Sequence, residues 1–419
     1  MLFLPEKRIY TIVFLWFIIS FFFLVLIPAE SKVPNLPGLV LINLVFIMGS
    51  VFFSMIASRI PIGFSREFKE KLNDEQLKKS TIIFSLISLF GFFFMAYDRF
   101  FIRAINYAEG LRSARYEWLS SEGGSIYSIL GNILVPFGYY CLVLLFVNFS
   151  RINFSYKLIL SISSIFCIFG HAALNGGRSN LIIGVCLCMV IYICKNRKFI
   201  MTRKFFFYVF IFLLVAISSV LYSVNIISSS AELGNITLRD ITYMAINELY
   251  GNVTAEFYDV DYEFQYLFYY MAAYLFHGSW TAQIAMSLDN LPGSYALYPI
   301  SVVLSQAGVL SSPLEPGYFS MYGAFISMPG ALYYDFGYVG LVISSFFLGG
   351  GLGVVIRLIS TGGKIDGFKF SFITYILFIY FLWPILPGYG FSYINFIVFG
   401  FILVEIINRT VFRKSFCWF

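Results

Sequence analysis

The stretch "IYTIVFLWFIISFFFLVLI" (9–27) contains nineteen consecutive residues without a charged side chain. Such a run is long enough to cross the hydrocarbon core of a membrane as an α-helix, which takes about 20 apolar residues. It lacks the small-residue cleavage site that ends a signal peptide, and further apolar runs follow it. We therefore expect it to be the first membrane-spanning helix of the protein.

The composition of the 419 residues supports this expectation. Hydrophobic residues make up 59% of the chain and charged residues 12%, and the mean hydropathy is +0.83. Ordinary soluble domains contain about 25% charged residues. The apolar runs are continuous, whereas a membrane β-barrel shows alternating strands. The sequence therefore predicts an all-α, polytopic integral membrane protein.

Ten transmembrane helices are predicted, and the basic residues orient them. With a cytoplasmic N-terminus, 21 of the 28 Lys and Arg residues fall on the cytoplasmic side, as the positive-inside rule requires. Both termini are then cytoplasmic, and the net charge of +6 reflects topology and does not indicate a nucleic-acid partner. The predicted helices cover roughly 9–28, 37–58, 80–101, 126–148, 156–174, 180–194, 205–224, 331–356, 370–387 and 389–408.

A long segment, 225–330, separates the first seven helices (1–224) from the last three (331–419). It lies on the predicted outer face, carries one basic residue, Arg239, and is rich in acidic and aromatic residues. Loops of this length often have a function. The aromatic residues favour helices at the membrane interface, although such rings also stack on sugars. Two further spans, near 266–288 and 297–312, give an alternative topology of twelve helices.

The turn "NGGRSN" (175–180) is the first candidate site. Gly176 and Gly177 precede a predicted helix start at Ser179 or Asn180, and Arg178 stands beside the exposed backbone N–H groups. A helix N-terminus next to a guanidinium group suits phosphate or diphosphate. The following helix is short, which places Arg178 below the membrane surface, where an arginine must face a cavity. The alternative is that Arg178 extends to lipid headgroups.

Three more arginines are candidates for the same anion. Arg99 and Arg103 are spaced i, i+4 on the predicted outer side, so that they can share a helix face and form a second cationic patch for a diphosphate. Arg239 in the long segment is the third candidate. Anchoring to headgroups and pairing with Asp98 or Glu109 are the alternative interpretations of Arg99 and Arg103.

Proton transfer on the outer side has few candidates. His277 is the single histidine of the long segment, and Glu248 is one of its carboxylates. A general base needs a pKa near the working pH, which a partly buried carboxylate or histidine can reach. A purely structural role is the alternative for a lone histidine.

Three other patterns do not predict a site. The six cysteines show no paired CxxC spacing, so we expect neither a disulfide framework nor a metal centre. "DFG" (335–337) lacks the glycine-rich and catalytic loops that accompany it in kinases. "GGGLGVVIR" (349–357) ends an apolar run, where glycines favour close helix packing.

Length, topology and two motifs resemble the O-antigen polymerases (Wzy type) and related oligosaccharide repeat-unit polymerases of bacterial inner membranes. The motifs are the Gly-Gly-Arg-Ser turn (176–179) and "GALYYDFGYVGLVISSFFLGG" (330–350), in which Asp335 follows the long outer segment. The resemblance implies a GT-C-like glycosyltransferase that joins undecaprenyl-diphosphate-linked repeats on the periplasmic side, without a cofactor. A separate chain-length regulator protein is an expected partner, beside membrane lipid.

The resemblance also implies roles for the candidate residues. Gly176, Gly177, Arg178 and Ser179, with Arg103 and Arg239, would bind the departing diphosphate. His277, Glu248 and Asp335 are the candidate catalytic residues. This chain departs from arginine-rich members of the family because Arg239 is the one arginine of its long segment.

Three other functions stay open at the level of sequence. An O-antigen ligase shares the lipid-linked donor and differs in its acceptor. A lipid-linked oligosaccharide flippase would show two related halves, and the long segment argues against it. A non-catalytic membrane scaffold or sensor would not need a recessed Arg178.

Overall fold

A computed structural model of the protein describes residues 5–60, 73–108, 114–115, 117–118, 125–175, 179–197, 218, 237–260, 262–289, 292–306, 308–312, 314, 325–361, 363–411 and 418–419. These residues form fifteen α-helices and two short strands. The helices of the first half are α1 (Pro5–Leu26), α2 (Leu36–Arg59), α3 (Asp74–Tyr97), α4 (Ile126–Leu134), α5 (Pro136–Val147), α6 (Phe154–Ile165), α7 (His171–Leu174) and α8 (Ser179–Asn196). Those of the second half are α9 (Leu238–Glu248), α10 (Phe264–Phe276), α11 (Gly278–Ala285), α12 (Ser294–Gln306), α13 (Met328–Ser360), α14 (Gly367–Leu382) and α15 (Ser392–Val411).

Eight helical segments of the described residues are long and apolar enough to cross a membrane. They correspond to the predicted helices one to six, eight and ten, and an all-α polytopic membrane protein is thereby confirmed. The predicted ninth helix, 370–387, corresponds to α14, which ends at Leu382 because Pro384 cannot continue the hydrogen-bond pattern. The predicted seventh helix, 205–224, lies outside the described residues apart from position 218. The eight segments are Ile9–Leu26, Leu36–Arg59, Asp74–Ile102, Ile126–Val147, Phe154–Leu174, Ser179–Asn196, Met328–Ser360 and Ser392–Val411.

Helices α2 and α13 pack closely along their length. A Cβ atom added at Gly349 would lie 2.5 Å from the carbonyl oxygen of Ser50, and one added at Gly353 would lie 2.5 Å from that of Ser54. Small residues four positions apart let two membrane helices approach each other to backbone contact. The close packing predicted for the "GGGLGVVIR" stretch is confirmed.

Helix α13 is interrupted where the sequence reads "DFG". Gly337 has φ 66° and ψ −169°, a conformation that is open almost only to glycine. The helix therefore consists of a short part before Gly337 and a long part after it. The sequence predicted one uninterrupted span at 331–356, because an apolar run does not reveal a local change of backbone direction.

The described part of the long segment is mostly helical and packs into the bundle. The Phe276 ring of α10 stacks on Phe23 of α1 at a centroid distance of 5.1 Å, and all eight residues of α11 are buried. Strands β1 (Ala29–Ser31) and β2 (Gly251–Val253) pair antiparallel beside them. The alternative span 266–288 falls on α10 and α11, which meet at His277, and 297–312 falls on the 13-residue α12. The sequence predicted helices in this segment, and helices are present; their position at the membrane interface stays a prediction.

Adding a methyl group at Gly353 should destabilise the contact between α2 and α13. We expect Gly353→Ala to lower the free energy of unfolding by about 1–3 kcal/mol, because the helix backbones must separate. Gly350→Ala is the matched control, since no atom lies within 4 Å of its added Cβ and alanine favours a helix. Thermal unfolding and gel filtration in detergent measure both variants. Equal stability of the two variants would contradict the packing.

Candidate functional site

Two π-helical turns mark one end of the bundle. Asp98–Ile102 continues α3, and Phe166–Gly170 connects α6 to α7. A π-turn inserts one extra residue into a helix, redirects the side chains after it and is frequent at functional sites. The two turns bring Arg99 and Asn175 together, and the Arg99 Nη2 donates to Asn175 Oδ1 at 3.1 Å.

The Asp98 carboxylate organises this end of the bundle. It accepts hydrogen bonds from Arg99 Nη1, from Ser125 Oγ and, at 3.1 Å, from Arg103 Nε. Asp98 and Arg99 are buried, and the Arg103 side chain is 10% exposed. A buried charge is tolerated when it is paired and hydrogen-bonded. We call Asp98, Arg99, Arg103 and Ser125 the Asp98 cluster, and its two arginines and one carboxylate leave one net positive charge.

The described residues satisfy the Arg99 guanidinium only in part. It lies over the Trp118 ring, 4.4 Å from the ring centroid. Its Nε is buried and has no acceptor among the described residues. A buried N–H without an acceptor costs free energy, and an anionic oxygen is the ligand that would satisfy it best.

A hydrogen-bond network extends from the Asp98 cluster into the bundle. The buried His171 ring contacts Asn175 through Nε2 and the Tyr393 hydroxyl through Nδ1, the latter at 2.6 Å. The Asn180 amide nitrogen lies 3.2 Å from the same Nδ1. Helices α7, α8 and α15 are thereby connected by one imidazole ring.

Tyr107 connects the chain after α3 to the same place. Its hydroxyl donates to the Leu174 carbonyl oxygen at 2.6 Å. Burial raises the pKa of Tyr107 to about 12, so the hydroxyl keeps its proton near neutral pH. The end of α7 is thus fixed from two sides, by Arg99 and by Tyr107.

The predicted anion-binding turn begins directly after this network. Gly176, Gly177 and Arg178 lie outside the described residues. Ser179 is the first residue of α8, where the sequence predicted a helix start. Of the arginine candidates, Arg103 belongs to the Asp98 cluster, and its pairing with Asp98 was one of the alternatives considered for it.

Arg239 lies in another part of the molecule. It is on α9, which packs against α10 and β2. Its side chain is 50% exposed and lies 3.8 Å from the Asp240 carboxylate. An exposed pair of this kind contributes little binding energy. The proposed role of Arg239 at the diphosphate stays a prediction that these contacts do not support.

Both ring nitrogens of His277 are used within the protein. Nδ1 lies 2.8 Å from the Tyr274 carbonyl oxygen, and Nε2 accepts from the Phe325 N–H at 2.8 Å. Burial lowers the pKa of His277 to about 4, so the ring is neutral near pH 7, with its proton on Nδ1. His277 would have to release the Phe325 N–H before it accepted a proton from a substrate.

Asp335 and Glu248 differ in their surroundings. The Asp335 carboxylate accepts from the backbone N–H groups of Tyr295 and Ala296 at 2.9 and 3.0 Å, and from the hydroxyls of Ser294 and Tyr389 at 3.1 and 3.0 Å. The two backbone bonds cap the N-terminus of α12. Glu248 is exposed at the end of α9. The catalytic roles of both stay predictions.

The segment "PGYGFSY" (387–393) contacts the surroundings of Asp335, of His277 and of His171. Tyr389 donates to Asp335, the Phe391 ring packs against Phe325 beside His277 at 5.8 Å, and Tyr393 binds His171. The three aromatic side chains are two residues apart in sequence and contact three different parts of the bundle. Sequence patterns did not single out this segment, because its partners are distant along the chain.

Other members of the site were also missed. Asn175 and Asn180 flank the Gly-Gly-Arg turn and appeared only as turn and capping residues, and Ser125 and Trp118 carry no motif. A usable signal was the pair Asp98–Arg99 at the end of an apolar run, because charges inside membrane spans usually have a function.

Replacement of Asp335 should distinguish capping from catalysis. We expect Asp335→Ala to lower the free energy of unfolding by about 2–4 kcal/mol, because four donors lose a charged acceptor. The exposed Asp289 provides the matched control, Asp289→Ala, with unchanged stability. Thermal unfolding in detergent is the measurement. A fully stable but inactive Asp335→Ala protein would instead establish a catalytic role.

Comparisons of the chain with protein-family models, with curated proteins and with solved structures found no match. The functional assignment therefore rests on the contacts described above and on the sequence motifs.

Proposed function

We propose that the protein is a glycosyltransferase that polymerises oligosaccharide repeat units carried on undecaprenyl diphosphate, at the periplasmic face of the bacterial inner membrane. The observation that carries the proposal is the Asp98 cluster at one end of a membrane-spanning bundle: a buried Arg99, whose Nε has no acceptor among the described residues, beside Arg103, whose side chain is 10% exposed. Its partner Asn175 stands three residues before Arg178 in the chain.

The position of the cluster suits a lipid headgroup. Arg99 and Arg103 follow the apolar stretch of α3, on the side that the distribution of basic residues predicts to be periplasmic. A diphosphate joined to a polyprenyl chain has its charge at this level of a membrane. Arginine binds phosphate oxygens with two parallel N–H bonds, which a lysine cannot reproduce.

The chemistry requires positive charge on the leaving group. A sugar hydroxyl of one repeat attacks the anomeric carbon of the growing chain, a new glycosidic C–O bond forms, and the bond to the diphosphate breaks. The electron pair of that bond goes to the diphosphate, and Arg99, Arg103 and Arg178 would stabilise it. Donors held in place before the reaction stabilise such charge most effectively, and Asp98 and Asn175 hold Arg99. The arginines would take the role of the divalent cation of many glycosyltransferases.

The attacking hydroxyl must lose a proton to a base. Of the three candidates, His277 and Asp335 are occupied by contacts within the protein. Glu248 is exposed on α9, the helix that also carries Arg239, and its role as the base stays a prediction.

The lipopolysaccharide banding pattern of a strain that lacks the gene tests this function. We expect the intact protein to restore a ladder, and Arg178→Ala or Arg103→Ala to reduce it to core plus one repeat, since losing one such donor slows a reaction by about 100-fold or more. Arg178→Lys should be a poor substitute. The control is Arg151→Ala, an exposed residue paired with Asp74 on the predicted cytoplasmic side, which should keep the ladder.

Other outcomes identify the other functions. Loss of every repeat in the deletion strain would indicate a ligase or a flippase. An unchanged ladder in Arg178→Ala and Arg103→Ala would contradict the proposed diphosphate site and return these arginines to the lipid headgroups. Membrane levels of each variant, measured by immunoblot, show that the protein is still inserted.

A further inference from the structure

His171 lies at the centre of the network and is fully buried. It is the first residue after the π-turn Phe166–Gly170. Both of its ring nitrogens contact side chains of the protein. Its ring contacts the ends of two helices, at Asn175 and Asn180, and a third helix at Tyr393. Any effect of His171 on a ligand must therefore pass through one of these partners.

The hydrogen bonds link His171 to Arg99 through Asn175. Asn175 Oδ1 accepts from Arg99 Nη2, so the Asn175 amide nitrogen faces His171 and donates to its Nε2. In the neutral ring the proton is then on Nδ1, which donates to the Tyr393 hydroxyl at 2.6 Å. An amide nitrogen only donates, so the Asn180 amide, which also lies at this Nδ1, must face the N–H with its oxygen. The His171 and Tyr393 rings also pack at a centroid distance of 4.5 Å. Tyr393 fixes His171, His171 fixes the Asn175 amide, and the amide fixes Arg99.

We propose that His171 is a positioning residue that orients the Arg99 guanidinium through Asn175, and so prepares it to bind a phosphate group. The proposal rests on the proposed function in taking the anion to be an isoprenoid diphosphate. Without the Nε2 acceptor, the Asn175 amide is free to rotate and to present its nitrogen to Arg99. Arg99 then loses one of its two side-chain acceptors among the described residues, and its Nε no longer has a fixed direction.

Binding of farnesyl diphosphate, a soluble isoprenoid diphosphate, to the purified full-length protein tests the proposal. Arg99→Ala establishes that the ligand occupies the site. We expect His171→Phe, which keeps a ring but neither nitrogen, to weaken binding about tenfold, the equivalent of one hydrogen bond to a charged group. His171→Gln, which can still accept from Asn175, should recover most of the affinity. Calorimetric titration in detergent measures the dissociation constants.

A matched control separates positioning from general destabilisation. Gln283 is a buried polar residue whose Oε1 accepts from the Asn35 N–H at 2.7 Å. Gln283→Leu removes a buried hydrogen bond without touching the Asp98 cluster and should bind with wild-type affinity. If His171→Phe does not yield folded protein, Asn175→Leu breaks the same link and should show the same tenfold loss.

The outcomes separate the two proposals. Wild-type affinity in both His171→Phe and Asn175→Leu, together with weak binding in Arg99→Ala, would overturn the positioning role and keep the anion site. Failure of the wild-type protein to bind, or unchanged binding in Arg99→Ala, would overturn the anion site and with it the proposed function. A loss in Gln283→Leu equal to that in His171→Phe would show that the effect is only structural and would also overturn positioning.

Discussion

The buried Arg99 and the partly exposed Arg103 bind one buried carboxylate, that of Asp98, at the end of α3, and the surrounding structure is arranged around this interaction. Moving an isolated charge out of water costs several kcal/mol, so Asp98, Arg99 and Arg103 must satisfy one another. The π-turn at Asp98–Ile102 supplies the backbone geometry, and Ser125 and Asn175 supply the remaining partners. Arg99 Nε still has no acceptor among the described residues. We interpret this buried donor as part of a ligand site.

The cluster depends on elements that are far apart in sequence. Tyr393 reaches it through His171, and the same segment, 387–393, contacts Asp335 and Phe325 through Tyr389 and Phe391. The segment 387–393 therefore contacts the residues that cap α12, that lie where α10 and α11 meet at His277, and that join the ends of α7 and α8. Movement of this segment would affect all of them together, which suits a site whose parts must keep fixed relative positions.

The sequence predicted those parts of the fold that depend on local residue pattern. A run such as 9–27 must be a membrane helix in any context, and the glycines of 349–357 predicted the contact between α2 and α13. The pairing of Arg103 with Asp98 was one of the alternatives that the sequence offered for this residue. Apolar content cannot show the break at Gly337 or the full burial of α11, because both follow from packing against distant helices.

The same limit applies to the site. The π-turns have no sequence signature that we could use. His171 lies close to the Gly-Gly-Arg turn in the sequence, but its partner Tyr393 is 222 positions away. His277 was a candidate by residue type and Asp335 by the family resemblance, and only the structure shows that their polar atoms are already occupied by contacts that include the backbone of α12 and of Phe325.

The most direct measurement is an electron cryomicroscopy structure of the protein in lipid nanodiscs with undecaprenyl diphosphate. The proposed function predicts density for the diphosphate within hydrogen-bond distance of Arg99 Nε and of the Arg103 guanidinium, with Asp98 and Asn175 still bound to Arg99. Density for the headgroup elsewhere in the molecule, with Arg99 Nε bonded to a protein acceptor, would contradict it.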